Sequence, residues 1–353
     1  MAQAHALQIE EIGRGQVGWI LAHEIRHVNG SRLFRKGSVI DQETLARWSD
    51  AAPGEAHLIE PEPGDLHEDE AGRRVCEAVA GAGIRIRGPL LSRFNLVAEH
   101  KGLLRVDVDL LRAVNGVEGV TVFTLLDRQP VLSGKIVAGV KVTPITVPRP
   151  AIEEVERLVA AAPRPPLVVL PYAKKRVAVL ATEGLNDRMQ ERFRSSVEHK
   201  INWYGSDVVD VRFISSEPSE IAATFREFLD NGANVLMAAG GNTIDPLDPL
   251  LVALPEIGAE MVHFGAPAHP GSMFWLARRG NVPIFNLASC SMYSRATVAD
   301  LILPLVMTGQ QVTSADIVEL GYGGLLEREM SFRFPDYDAE TSDEENQPDD
   351  DES

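Results

Sequence analysis

The stretch VLMAAGGNTIDPLDP (235–249) runs from a fully apolar segment into a glycine pair and then into two Asp-Pro steps. A short, wholly apolar run bounded by turn residues reads as a strand buried on both faces, as in a parallel sheet. Gly240 and Gly241 allow positive φ and close approach of a ligand to the backbone. Exposed N–H groups at such a turn, with a helix start behind them, suit an anionic group such as phosphate. Asn242 or Thr243 would cap that helix. Asp245 and Asp248 accept hydrogen bonds but donate none. Beside an anion they need a Mg²⁺ ion between them and it, or a ring N–H donor to bind. The plainer alternative is a glycine turn with two solvent-facing aspartates, one of them an N-cap. Spacing alone leaves both readings open.

Outward from this stretch the chain alternates. KRVAVLAT (175–182), DVVDVRFIS (207–215), ANVLMAA (233–239) and VPIFNLAS (282–289) read as strands. DRMQERFRSSVEHKINWYG (187–205), SEIAATFREFLDNG (219–232) and TVADLILPLVMTG (297–309) read as helices. This order predicts an α/β domain over 173–312, with a doubly wound, mostly parallel sheet whose ligands sit beyond the strands' carboxyl ends. AAAPRPPLVVLPY (160–172) places four prolines among small residues, and 151–172 is expected to be a linker. Residues 1–150 form a mixed α+β region. In it 16–25, 45–52 and 71–81 read as helices and 119–126 as a strand. GKIVAGVKVTPITV (134–147) alternates too long for one ordinary strand, so a long β arm or a bend near Gly139 is expected. An arm would suggest a homodimer.

The net charge of −17 over 353 residues argues against nucleic acid as a partner, since phosphate contacts need clustered Lys and Arg. Ten acidic and no basic residues in 335–353 predict a disordered acidic tail after a short segment 313–334. Two cysteines, Cys76 and Cys290, make no disulfide framework. With no apolar run near the roughly 18–20 residues that span a bilayer, a cytoplasmic protein without membrane contact is expected.

Two motifs match by letter only. HEIRH (23–27) has zinc-ligand spacing, but Leu33 stands where a third ligand would fall, so two surface histidines are the expectation. GRGQVG (13–18) has dinucleotide-loop spacing, with no βαβ unit around it.

AGGNTIDPLDP, with RVAVLATEGLND (176–187) before it and GAPAHPGSMFWLARRGNVPIFNLASCSMYSRATVADLILP (265–304) after it, resembles the molybdopterin-binding domain. That domain is shared by molybdopterin molybdenumtransferases and adenylyltransferases. GWILAHEI (18–25) and FRKGSVIDQETLARWSDAA (34–52) are similar to the molybdenumtransferase front end. The resemblance implies molybdopterin or its adenylated form as ligand, Mg²⁺, molybdate insertion as the reaction, or, without catalysis, a carrier serving a molybdenum hydroxylase. It implies that Thr182, Gly240, Gly241, Asn242, Thr243, Pro270, Gly271, Ser272, Asn286, Ser289 and Ser291 bind the cofactor. Asp245, Asp248 and Glu183 would act in catalysis, the two aspartates on the metal. Cys290 reads as core packing. Several family features depart. The Met-Asp-Gly-Tyr-Ala segment is not found. His269 and Ser272 stand near the Pro-Gly motif in place of lysines. Ala288-Ser289-Cys290-Ser291 replaces the Pro-Gly-Asn-Pro turn, and the C-terminal β domain is reduced to at most 321–334.

Overall fold

The computed structural model describes residues 2–241, 244–287 and 297–339. A six-stranded sheet organises the second half of the chain. Its elements are β1 (Arg176–Ala181), α1 (Asp187–Trp203), β2 (Asp207–Phe213), α2 (Pro218–Asp230), β3 (Val235–Ala239), α3 (Pro249–Glu256), β4 (Glu260–Phe264), β5 (Trp275–Arg279), β6 (Val282–Leu287) and α4 (Val298–Met307). The strands lie in the order β2-β1-β3-β6-β5-β4. β2, β1, β3 and β6 pair in parallel, while β5 runs antiparallel to both β6 and β4.

The apolar strands are buried on both faces because successive side chains alternate between two cores. Val177, Val179, Met237 and Phe285 pack against Phe193, Val197 and Ile201 of α1 and Ile302 of α4. Ala178, Leu180, Leu236 and Ile284 face Phe225 and Phe228 of α2 and Leu250 and Leu254 of α3. Helices therefore cover both sides of this sheet.

The front of the chain departs from several expectations. Residues 16–25 are not a helix. They hold a 3₁₀ turn ending at Gln16 and two-residue strands at Ile20–Leu21 and Ile25–Arg26 around a core of Leu21, Phe34, Ile40, Trp48 and Leu58. The expected helix at 45–52 is a short helix, Gln42–Ala46, followed by a 3₁₀ turn. The expected helix at 71–81 lies at Glu68–Val79. No long arm extends from 134–147. Ile136–Val142 sits inside a four-stranded sheet, bonded to Val120–Thr124 on one side and Arg93–Ala98 on the other, and Thr146–Pro148 pairs separately with Asp65–His67. With both edges paired, the strand has no free edge to offer, and the ground for expecting a dimer goes with it.

The expected linker is also built into the fold. Arg149–Ala160 is a helix whose Ile152 and Val155 are buried, and Arg74 grips its Glu156 through two 2.8 Å hydrogen bonds. Leu167–Pro171 is a strand paired with Gly102–Val106. Pro165 and Pro166 stand just before that strand, where missing N–H groups break no ladder. The C-terminal segment folds back onto α1 and α4. Trp203 Nε1 donates to the Ala339 carbonyl at 3.0 Å, and Tyr337 Oη donates to Asp300 at 3.0 Å. Among the described residues no helix is long and apolar enough to cross a membrane.

Candidate functional site

The connections out of β1 fix where a ligand would bind. From β1 the chain passes through α1 to β2 on one side, then through α2 to β3 on the other side of β1. Successive crossovers thus diverge between β1 and β3. At their carboxyl ends lies the topological switch point, the usual ligand crevice of open α/β sheets. Thr182 and Glu183 follow β1, and Gly240 and Gly241 follow β3. The two loops meet at this point.

The meeting is close because the glycines have no side chain. Gly240 has φ +102°, and a Cβ there would lie 2.5 Å from Thr182 Oγ1 and 3.1 Å from the Glu183 nitrogen. Gly241 has φ +81°, and its Cβ would lie 2.5 Å from Asp248 Oδ2. Both positions thus need glycine twice over, for the dihedral and for the contact. Thr182 N–H donates to the Ala239 carbonyl at 2.9 Å, joining the two strand ends. Ser216, in the loop after β2, donates to the Thr182 carbonyl at 3.4 Å. The β1 loop is then closed by Asn186, whose side chain caps α1 by accepting from Met189 N–H at 3.0 Å.

The two Asp-Pro steps have a local explanation. Asp248 is only 4% exposed and is the N-cap of α3, with Oδ1 accepting from Leu250 N–H at 2.9 Å and Pro249 in the first turn. An acceptor at the cap and a proline just inside it are the usual start of a helix. Asp245 is exposed, and its Oδ1 accepts from Leu247 N–H at 2.9 Å, closing a turn on itself. Each carboxylate therefore has one oxygen committed to the backbone. Among the described residues no group of three or more His, Cys, Asp or Glu side chains is arranged to hold a metal ion.

The remaining expected residues lie elsewhere or play other parts. Asn286, on β6, is buried and directs its amide to the neighbouring hairpin: Oδ1 accepts from Trp275 N–H at 2.7 Å and Nδ2 donates to the Met273 carbonyl at 2.9 Å. It positions the 273–275 turn from a place opposite Ala238 near the end of β3. Pro270, Gly271 and Ser272 form a turn pressed on the start of α4, where a Cβ on Gly271 would lie 2.9 Å from the Val298 nitrogen. The same turn is held by His269, which exchanges hydrogen bonds with Gly324 and Leu326. Asn242, Thr243, Ser289, Cys290 and Ser291 fall outside the described residues. Thr182, Glu183, Gly240, Gly241 and Asp248 are thus brought together, with Asp245 on the same loop. Ser216 and Asn186 escaped the sequence reading. Asn186 was legible as a cap before Asp187-Arg188-Met189, whereas Ser216 joins the site only through the sheet.

Neither letter-only motif has the backbone its spacing would need, a helix at 23–27 or a βαβ unit after 13–18. His23 stands in a bend and His27 in a β-bridge with Ala51, with His23 Nε2 accepting from His57 N–H and His27 Nδ1 from Asn29 N–H. GRGQVG is a 3₁₀ turn followed by a two-residue strand.

No protein-family model matches the chain, and no curated protein matches it. Among solved structures it is similar to the molybdopterin biosynthesis enzyme MoaB from Thermus thermophilus, at 18% identity, covering 38% of this chain and 98% of that one, with a TM-score of 0.28. It is also similar to the molybdopterin biosynthesis MoeA protein from Pyrococcus horikoshii, at 12% identity, covering 86% of this chain and 73% of that one, with a TM-score of 0.28.

Proposed function

We propose that this protein works in molybdenum-cofactor biosynthesis, binding molybdopterin or its adenylated form at the carboxyl ends of β1 and β3 and inserting molybdate as a molybdenumtransferase does. One observation carries the reading: the Gly240–Gly241 turn and the Thr182–Glu183 loop are packed together at the switch point of the sheet. The sequence resemblance over 176–304 supports it independently.

In this reading the backbone at Gly240 and Gly241, with Asn242 and Thr243 beside them and the Thr182 hydroxyl opposite, holds the pterin phosphate. The site offers too few carboxylates for an all-protein metal cage. A Mg²⁺ brought in with the phosphate would find one exposed carboxylate on this loop, Asp245. Bound there, Mg²⁺ would neutralise charge on the phosphates. The chain's own residues bind and orient: the glycine turn fixes the phosphate, and Glu183 faces Gly240 across the loop contact.

Asp248 favours a second reading, a carrier that hands the cofactor to a molybdenum hydroxylase. Its burial and its cap favour a helix-start role over one on a reacting group, which would leave Glu183 and Asp245 as the catalytic acidic set. One experiment separates the two. Purified protein is mixed with adenylated molybdopterin, Mg²⁺ and molybdate, and AMP is measured. AMP release that is lost in Asp245→Asn supports the transferase. Tight binding without AMP supports the carrier, and absence of binding overturns both.

A further inference from the structure

Between the helix Val108–Asn115, the turn at 126–129 and the C-terminal segment 319–333 lies a cavity of about 520 Å³ that the pterin reading does not use. That volume falls within the roughly 300–1,000 Å³ of small-molecule sites. Its walls are mostly apolar. Leu301 of α4 is buried at its base, Leu126 and Phe332 are about half exposed, and Tyr322 at the rim is 98% exposed. Large apolar side chains left open together mark a binding surface, whereas a single exposed leucine would need no explanation.

Three guanidinium groups line the same cavity, and they differ in what already holds them. Arg112 pairs with Asp109 at 2.7 Å in the open. Arg128 is tied to Asp127, Asp316 and Glu319. Arg333 makes no ion pair among the described residues; its Nη1 donates to the Gly323 carbonyl. Burial lowers its pKa, so the charge is poorly solvated where it stands. A guanidinium has five N–H donors, and with one committed to Gly323 the fork is left for a planar anionic acceptor. The carboxylates around the cavity, Asp109, Asp127, Asp316 and Glu319, are bonded to Arg112 and Arg128, which leaves Arg333 as the guanidinium that faces a ligand.

We propose that this cavity binds a small, flat, largely apolar molecule bearing one carboxylate, phosphate or sulfonate group, with the anion on Arg333 and the ring body against Tyr322, Phe332 and Leu126. The site is separate from the β1–β3 crevice, and it stands or falls without the pterin reading.

The probe is 8-anilinonaphthalene-1-sulfonate, titrated into the full folded chain at low salt, with the uncharged N-phenyl-1-naphthylamine as its partner. Saturable single-site binding is expected, with the sulfonate held at least about tenfold more tightly than the neutral ring, the scale of one charge-assisted hydrogen bond. Arg333→Gln removes that preference and leaves the neutral probe unchanged. Tyr322→Trp is a second measurement that does not depend on how Arg333→Gln folds, because the side chain is wholly exposed. It places an indole at the rim and raises energy transfer to the bound probe above that of the unaltered protein. Absence of saturable binding, an unchanged preference in Arg333→Gln, or no gain in transfer in Tyr322→Trp would each overturn the proposal.

Discussion

Replacing Gly240 by alanine tests whether the loops after β1 and β3 touch as described. Alanine at φ +102° occupies a sparsely populated region, which costs roughly 1–3 kcal/mol. Its Cβ also enters space 2.5 Å from Thr182 Oγ1 and 3.0 Å from Glu183 Cγ, adding about 1–2 kcal/mol of overpacking. Gly240→Ala should therefore destabilise the protein by roughly 2–5 kcal/mol, a fall of about 1–2 M in the urea midpoint. Thr182→Ala alone should cost less than about 1 kcal/mol, since Thr182 is only partly buried and its backbone bond to Ala239 is untouched. In the double variant the hydroxyl that alanine strikes is gone, so about 1 kcal/mol should return. Urea unfolding followed by tryptophan fluorescence and by circular dichroism gives all four corners of the cycle. If the two costs add within about 0.5 kcal/mol, the loops do not share the contact and the crevice is built otherwise.

Asp300, 2% exposed, accepts from Lys200 at 2.8 Å, from Tyr337 and from Thr297 in the α4 capping box; Asp300→Ala removes all three bonds and should cost about 2–4 kcal/mol in the same urea assay. Burial pushes the Cys76 thiol up to about 12 from its usual 9, so the thiol is neutral in the fold at pH 8. In a Cys290→Ser background it should react with a thiol reagent only on unfolding. The sign follows from the raised value: this contribution is intact below pH 9 and is lost as pH rises through 12, at up to about 1.4 kcal/mol per unit, measurable as a falling urea midpoint above pH 9. Purified protein should carry no stoichiometric zinc by elemental analysis, because His23 and His27 share no helix face and each accepts from a different backbone N–H.

The parts legible in the sequence were those whose burial is uniform. β1, β3 and β6 read as strands because both faces are covered, so no polar residue interrupts them until Asn286, itself a buried hydrogen-bonding device. β4 and β5 were missed: Glu260, His263, Arg278 and Arg279 give an edge hairpin the look of a polar loop. At 16–25 the apolar spacing mimicked a helix, yet Trp19, Ile20 and Leu21 are held by bonds to residues 38–40 and 57–59, a pairing that spacing cannot encode. The prolines at 163–171 signalled a linker because proline punctuates both linkers and element ends. Within the site, the glycine pair was found from its turn chemistry. Of the two readings of the Asp-Pro steps, the helix start accounts for Asp248, which caps α3. The 520 Å³ cavity joins residues about 200 positions apart in the chain, and no local pattern announces it.

Hydrogen–deuterium exchange of the intact protein, with and without molybdopterin, tests the central claim most directly. Binding at the switch point slows exchange in 182–186 and 240–250 and leaves the amino ends of the strands unchanged. Slowing confined to other segments, or none at saturating pterin, would contradict it.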